Sequence, residues 1–318
     1  MNLQELSEKL NVSKATLSRV INNKPGVSTK KREEIKQFLA KNNLLKTSKE
    51  NNIVIVIPDF ENPFFGEIIK EISKILREHG YQVTIYDTDE NVENEKIIVK
   101  SLIKNKVSGV IFCISDGAES VHNISLLQKA NIPVILFDRE LDFSLSGVFL
   151  DDFQAGVLAT KHLISKGCKK IAVIPGSFEL KHIKNRFTGY QYILKQHNLS
   201  FSEEYIFQGD MKIESGYEAM KAIVNSSINF DGILILNNFM TIGVLNYINN
   251  NDLSLYNKYC ILGFDIPEYL FKMTPNINII TRSRKEMGYL TANLLLKELN
   301  NEKKENYTKK LIIDPILF

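Results

Sequence analysis

From residue 52 onward, short apolar runs rich in β-branched residues alternate with longer stretches in which apolar positions recur at helical spacing. Continuous apolar runs bounded by turn residues are typical of parallel strands that are buried on both faces. The predicted strands lie at Ile53–Ile57, Val83–Tyr86, Val110–Ile114, Val134–Phe137, Ile171–Ile174, Ile233–Leu236 and Cys260–Gly263. The pattern predicts a doubly wound α/β body, in which ligands bind beyond the carboxyl ends of the strands.

The first 45 residues follow a helical pattern without strands. A first helix is predicted by apolar residues at helical spacing, namely Leu3, Leu6 and Leu10. After a short turn, the Ser13 side chain is suited to cap a second helix by accepting hydrogen bonds from its free N–H groups. The buried face of that second helix is predicted to consist of Leu17, Val20 and Ile21.

A third helix is predicted from Ser28, which follows the break at Pro25-Gly26, to about Asn42. The first and second helices are joined by a short turn at residues 11–13. Two helices joined in this way cross steeply, which lets the second one lie in a DNA major groove. Helical spacing alone is equally compatible with a small three-helix bundle that carries basic residues on a solvated surface.

Charge is divided unevenly along the chain. Residues 1–50 contain 11 Lys and Arg against 5 Asp and Glu, whereas the remainder contains 29 basic and 32 acidic residues. A basic terminal domain on a slightly acidic body favours phosphate binding with a steep salt dependence.

The cysteines and the hydropathy pattern indicate a cytosolic protein. Cys113 and Cys260 lie in apolar runs and Cys168 in a basic turn, without the spacing of a metal site or a disulfide framework. No secretory signal and no apolar run of membrane-spanning length is found. No cofactor or metal is expected.

The order of residue types in the N-terminal segment makes the prediction of DNA binding more specific. Residues 12–32 read VS-x-x-T-x-SRV-x-N, then a loop, then VS-x-x-x-R. This segment closely resembles the DNA-binding headpiece of LacI/GalR-type transcription regulators. Five segments of the body also resemble that family in their order and separations. They are PDFENPFF, IPVILFDR, NRFTGY, NNFMTIGVL and LGFD.

The resemblance implies a domain plan. A helix-turn-helix headpiece occupies residues 1–45, a short linker residues 46–51, and an effector-binding and dimerisation domain residues 52–318. That domain resembles periplasmic binding proteins. It has one lobe at about 52–151 with the C-terminal tail, a second at about 152–275, and a small-molecule cleft between them. A homodimer and a roughly palindromic operator are implied as well.

The resemblance also assigns DNA contacts, residue by residue. Base-reading positions fall on Lys14, Ala15 and Arg19; Arg19 can bind a guanine bidentately, and Ala15 can contact a thymine methyl. Phosphate contacts fall on Ser13, Thr16, Asn22, Ser28 and Arg32. For Thr16, a hydrogen bond within the helix is an equally good reading of the hydroxyl.

Effector contacts are carried over in the same way, to Asn62, Phe64, Arg186, Asn238 and Asp265. Asn238 departs from the family, which commonly has Asp there, and this changes the pattern of hydroxyl binding.

Alternatives remain open at several of these positions. Phe65 is expected to pack in the core, and Arg186 is open to a salt bridge between the lobes. Asp152 is as well suited to a helix N-cap as to the cleft. His182, near Arg186, is expected at the surface.

A second departure lies between headpiece and body. The family normally has a Tyr-x-Pro-Asn segment and a short hinge helix that wedges a Leu into the minor groove. Here a polar stretch follows Leu44-Leu45 directly, and a flexible tether is expected. We therefore predict weak operator kinking, while leaving open whether Leu44 or Leu45 replaces the wedge.

These patterns predict a sequence-specific transcription regulator, a repressor controlled by a small molecule such as a sugar. The alternative is a cytosolic small-molecule sensor with weak DNA specificity. A solute-binding protein fits the body alone. An enzyme is disfavoured, because no catalytic residues, phosphate-binding Gly loop or nucleophile elbow are recognised and the five histidines are dispersed.

Overall fold

A computed structural model describes residues 6–7, 9–21, 26–41, 51–115, 117–141, 144–274, 276–300 and 308–318. In the headpiece, helix α1 spans Lys14–Ile21 and helix α2 spans Thr29–Lys41. The Ser13 Oγ accepts a hydrogen bond of 3.1 Å from the backbone N–H of Thr16, which confirms Ser13 as the cap of α1. A small core joins the helices and consists of Leu6, Leu17, Val20, Ile35 and Leu39.

Five residues on which sequence predictions rest, Leu3, Asn22, Pro25, Leu44 and Leu45, lie outside the described residues, as does most of the predicted linker. The predictions made for them stay predictions.

The first lobe of the body is a parallel sheet in the order β10-β5-β4-β3-β1-β2. Its strands are β1 Asn52–Ile57, β2 Gln82–Asp87, β3 Gly109–Phe112, β4 Val134–Asp138, β5 Gly147–Leu150 and β10 Lys310–Ile313. Its helices are α3 Phe64–Glu78, α4 Val92–Asn105, α5 Glu119–Lys129 and α12 Arg284–Asn300. Apolar residues cover both faces of the sheet, as the continuous apolar runs predict.

The second lobe repeats this plan with the order β11-β9-β8-β7-β6. Its strands are β6 Ile171–Ile174, β7 Gly232–Ile235, β8 Cys260–Phe264, β9 Ile277–Thr281 and β11 Ile316–Leu317. Its helices are α6 Asp152–Ser165, α7 Lys181–Gln196, α8 Ile213–Val224, α9 Asn238–Asn251, α10 Leu255–Lys258 and α11 Glu268–Met273, with a 3-10 turn at Glu203–Tyr205. The two sheets confirm the predicted α/β fold class.

The chain passes between the lobes three times, after β5, after β9 and after β10. Two details differ from the expected lobe boundaries. Strand β9 continues the second sheet to Thr281, past the boundary expected near residue 275, because Ile277 and Ile279 are buried in that lobe's core. The tail does not return to the first lobe alone, since β11 pairs antiparallel with β9.

Helices α6 and α7 cross in close contact because glycines face backbone at the crossing. A Cβ on Gly156 would lie 2.0 Å from the carbonyl oxygen of Arg186, and a Cβ on Gly189 would lie 2.4 Å from that of Phe153. Only glycine permits this approach. The crossing sets the position of Arg186 at the edge of the second lobe.

Candidate DNA-binding face and interlobe cleft

The outer face of α1 carries the side chains predicted to read bases. Leu17 and Val20 are buried against the headpiece core, so the opposite face of the helix is turned outward. Lys14, Ala15 and Arg19 are exposed on that face. A cation, a methyl group and a guanidinium are thereby presented together on one short helix.

The predicted phosphate contacts flank this face. The hydroxyl oxygens of Ser13 and Thr16 lie 2.8 Å apart. The Thr16 hydroxyl therefore makes a local hydrogen bond at the start of the helix, which was the alternative to a phosphate contact. Ser28 precedes α2, and its carbonyl accepts from the backbone N–H of Arg32 at 2.9 Å. Asn22 lies outside the described residues.

The cleft between the lobes is built at the carboxyl ends of the strands. Asp138 is the last residue of β4 in the first lobe, and Asp265 follows β8 in the second. Both adopt left-handed backbone conformations, with φ of 64° and 49°, in which Asp is more common than most non-glycine residues. The two carboxylates face the same guanidinium from opposite lobes.

That guanidinium belongs to Arg282, on the crossover that follows β9. Its Nη1 donates to Asp138 Oδ1 at 2.6 Å, and its Nη2 donates to Asp265 Oδ2 at 2.5 Å. Its Cζ lies 4.7 Å from the centroid of the Phe64 ring. Arg282 was not predicted as a site residue, although Arg282 and Arg284 directly after a buried strand at a crossover are a usable signal.

Arg186 is held inside the second lobe. Its Nε donates to Asp152 Oδ1 at 2.8 Å, its Nη1 donates to the carbonyl oxygen of Leu236 at 2.7 Å, and its Cζ lies 4.3 Å from the ring centroid of Phe264. The interpretation of Asp152 as a helix cap is wrong. Asp151 caps α6 by accepting from the N–H of Gln154, and Asp152, one residue into the helix, binds Arg186 instead.

Two predicted amides meet across the cleft. Asn238 Nδ2 donates to Asn62 Oδ1 at 2.7 Å, and the same oxygen accepts from the backbone N–H of Phe64 at 3.0 Å. The Phe64 ring is buried and faces Arg282, whereas Phe65 packs edge-on against Phe137 in the first-lobe core, as expected. The structure therefore brings all five predicted effector residues to one cleft.

The charges of the cleft are set by burial and by the arginines. Burial opposes the ionisation of Asp265, but Arg282 and Arg186 outweigh it and lower the pKa of Asp265 below its ordinary value. Burial prevails at Asp152, where it raises the pKa to about 6 against the attraction of Arg186. His182 lines the cleft rather than lying apart from it, and burial together with nearby arginines lowers its pKa well below the ordinary value.

Little free space remains among these side chains. The cleft holds about 30 Å³, whereas a neighbouring space, the hinge hollow, holds about 580 Å³. The hinge hollow is lined by Glu67, Ile266, Glu268, Phe271, Ile279, Arg284 and Phe318, among others. Arg282 lines both spaces.

Metal sites and membrane-spanning helices are both absent from the described part of the chain. It contains no group of three His, Cys, Asp or Glu side chains that could hold a metal ion. No helix there has the length and apolar character needed to cross a membrane.

Comparison with known proteins gives consistent matches. Residues 2–44 match the model of bacterial regulatory proteins of the lacI family, and residues 50–256 match the model of periplasmic binding proteins and the sugar binding domain of the LacI family. The catabolite control protein A of Priestia megaterium is 27% identical over 313 residues, covering 95% of this chain and 93% of that protein.

Two further similarities are of the same kind. The ribose operon repressor of Lactococcus lactis subsp. lactis is 29% identical over 304 residues, covering 93% of this chain and 90% of that protein. The crystal structure of a lac repressor dimer bound to operator and an anti-inducer superposes with a TM-score of 0.76 at 20% identity, covering 100% of this chain and 97% of that one.

Proposed function

This chain belongs to the LacI family of bacterial regulatory proteins, and on that premise we propose that it acts as a dimeric repressor on a palindromic operator. The observation that carries the proposal is the exposed row of Lys14, Ala15 and Arg19 on a capped helix, joined in one chain to a bilobed body with a polar cleft. The alternative, a sensor with weak DNA specificity, is not favoured, because both parts of the chain match the same family.

In the proposed complex α1 lies in the major groove. Arg19 binds a guanine through two N–H donors, Ala15 contacts a thymine methyl, and Lys14 reads a neighbouring base. The phosphate contacts from Ser13, Thr16, Asn22, Ser28 and Arg32 set the register without reading sequence.

The effector of this proposal is a small hydroxyl-rich molecule, a sugar or a related metabolite, bound between the lobes. This class follows from the match of the body to sugar binding domains and from the polar groups that line the cleft. Asn62, Asn238 and Asp265 are assigned to hydroxyl groups, Phe64 to an apolar face and Arg186 to support of the site. The effector acts because its affinity differs between lobe arrangements that do and do not bind DNA.

We place this regulator in the cytoplasm and assign it no catalytic activity. The short link between headpiece and body is proposed to weaken both operator kinking and the coupling between effector and DNA. A bound-operator gel assay that showed a marked bend, abolished by Leu45→Ala, would contradict this part of the proposal.

The DNA-binding proposal is tested by fluorescence anisotropy with a duplex from the protein's own promoter and a scrambled duplex, at two salt concentrations. Arg19→Ala should reduce the preference for the promoter duplex by roughly 10-fold to 100-fold, which corresponds to one lost bidentate base contact. Lys36→Ala is the matched control, because it removes an exposed charge of the same sign on α2.

The control should weaken binding to both duplexes alike and leave the preference intact. A wild-type protein without preference would overturn the regulator proposal. Full preference in Arg19→Ala would overturn only the base-reading assignment.

A further inference from the structure

Arg282 has an unusual position for a side chain at a ligand site. It lies on the crossover between β9 of the second lobe and α12 of the first, and its side chain is 3% exposed. Its two terminal nitrogens are divided between carboxylates of opposite lobes, Asp138 and Asp265. One guanidinium therefore joins the two halves of the cleft at its centre.

Asp265 uses both carboxylate oxygens in this arrangement, whereas Asp138 binds Arg282 through Oδ1 and has Cys113 Sγ 3.9 Å from its Oδ2. Thr281 Oγ1 donates to Asp265 Oδ1 at 2.9 Å, while Arg282 takes the other oxygen of that carboxylate. Arg282 also covers the face of Phe64 that is turned toward the cleft. Two of the groups that the proposed function assigns to the effector, Asp265 and the Phe64 ring, are thus already in contact with Arg282, and the same residue holds Asp138.

The free volume that remains in the cleft is small. About 30 Å³ accommodates on the order of one water molecule. Ligand sites are typically of the order of 300–1,000 Å³. No sugar can reach Asp138 and Asp265 together while Arg282 holds both of them.

The hinge hollow offers the Arg282 side chain an alternative position. Arg282 lines the hinge hollow as well as the cleft, and that hollow offers about 580 Å³ with the carboxylates of Glu67 and Glu268 in its lining. Glu268 is paired with Lys272 at 2.6 Å. A rotation of the Arg282 side chain into the hinge hollow would leave the cleft and place its guanidinium in a space whose lining includes the carboxylate of Glu67 together with Arg284 and Lys285.

We propose that Arg282 is a built-in competitor of the effector, and that the effector is a neutral, hydroxyl-rich molecule that displaces it from Asp138 and Asp265 into the hinge hollow. The inference rests on the proposed function, since it assumes that the cleft is the effector site. Displacement explains the chemical class of the ligand. Once Arg282 has left, Arg186 remains 4.0 Å from Asp265, and the oxygens of Asp138 and Asp265 that Arg282 had bound require hydrogen-bond donors. Hydroxyl groups supply such donors, whereas a phosphorylated sugar would add negative charge beside the two carboxylates.

The sign of one variant's effect separates displacement from direct binding. If Arg282 competes with the effector, Arg282→Gln should bind the best neutral sugar roughly tenfold more tightly than the wild type, because the ligand no longer has to break two buried ion pairs. If Arg282 instead contacts the effector, the same variant should bind more weakly. Isothermal titration calorimetry on the full chain, with neutral mono- and disaccharides and their phosphorylated forms, measures this directly.

Arg139→Gln is the matched control. Arg139 is a buried arginine that lines the cleft, but its partners Glu90, Ile114 and Ser115 all belong to the first lobe. It should bind neutral sugars no more tightly than the wild type. Glu67→Gln tests the other end of the displacement without altering the cleft, and it should weaken neutral-sugar binding, by roughly threefold, because the displaced guanidinium loses its new partner.

The inference is overturned if Arg282→Gln binds neutral sugars more weakly than the wild type does. It is also overturned if the wild type prefers phosphorylated sugars and Arg282→Gln loses that preference, or if neither protein binds a neutral sugar. If Arg282→Gln does not fold, an unchanged sugar affinity in Glu67→Gln overturns it. Operator binding without sugar, measured on the same preparations, keeps the two proposals separate. A retained promoter preference with any of these outcomes leaves the regulator proposal standing.

Discussion

The crossing of α6 and α7 offers a sharp test of how the second lobe positions its cleft residues. In Gly156→Ala the new Cβ would lie 2.0 Å from the carbonyl oxygen of Arg186, 2.8 Å from its carbonyl carbon and 3.0 Å from its Cα. All three atoms are backbone, so no side-chain rotation relieves the contact. The helices must separate, and Arg186 must move with α7 away from Asp152.

Two opposing effects decide the size of the change. Alanine is the better helix former, by about 1 kcal/mol over glycine. Overpacking typically lowers the free energy of unfolding by about 1–3 kcal/mol. Because the new Cβ of Gly156→Ala would contact backbone atoms, we expect its overpacking cost to be about 3 kcal/mol. The net expectation is a loss of about 2 kcal/mol in the free energy of unfolding, which lowers Tm by about 4–8 °C.

Differential scanning calorimetry of the full chain measures this loss, and Gly66→Ala is the control. Gly66 lies in α3 with no atom within 4 Å of a built Cβ, so alanine there should stabilise the protein by about 0.5–1 kcal/mol. Wild-type stability or better in Gly156→Ala would refute the reasoning that backbone contact dominates helix propensity. A further consequence is weaker effector binding in Gly156→Ala alone, because only that variant displaces Arg186.

Three other predictions concern the second lobe. The Tyr190 hydroxyl donates to the carbonyl of Ile171 at 2.8 Å in the core, so Tyr190→Phe should cost about 1 kcal/mol in urea unfolding, and an unchanged value would contradict the bond. The thiol of Cys168 lowers the pKa of Cys260 to about 7, so near neutral pH iodoacetamide should modify Cys260 faster than a cysteine with the ordinary pKa; Cys168→Ala should slow that reaction, and equal rates would count against the pairing. Burial raises the pKa of Asp152 to about 6 in the native state. Between about pH 4 and pH 6 the native protein therefore keeps a proton on Asp152 that the unfolded chain has already released. The contribution of Asp152 to the free energy of unfolding falls by about 3 kcal/mol as the pH rises through that window. Urea unfolding across this range should show a smaller fall in Asp152→Asn, and an identical fall would refute the assignment.

Much of the architecture was predictable because it depends on local patterns. Runs such as Ile53–Ile57 are apolar throughout, and a strand buried on both faces requires that composition. The cap at Ser13 was predictable for the same reason, since capping involves only residues within one turn. The lobe limits were less accurate, because the pairing of β11 with β9 joins residues that are distant in sequence.

The candidate site divides in the same way. Asn62, Phe64, Arg186, Asn238 and Asp265 were assigned from short motifs, and the structure brings them to one cleft. What those residues touch was not predictable. Asn62 meets Asn238 from the other lobe, and neither neighbouring sequence contains a signal for its partner.

The two kinds of domain and the DNA-facing helix could be predicted from the amino-acid order alone, because helical spacing, capping and apolar runs act over a few residues. The basic terminal segment favoured a nucleic-acid partner, since charge is additive along the chain, and the resemblance of residues 12–32 made that prediction specific. The occupancy of the cleft by Arg282 became visible only in the folded chain. Arg282 meets Asp138 and Asp265 because the crossover after β9 brings together the ends of strands from two separate sheets, and ion pairs between such distant segments leave no periodic trace in the sequence.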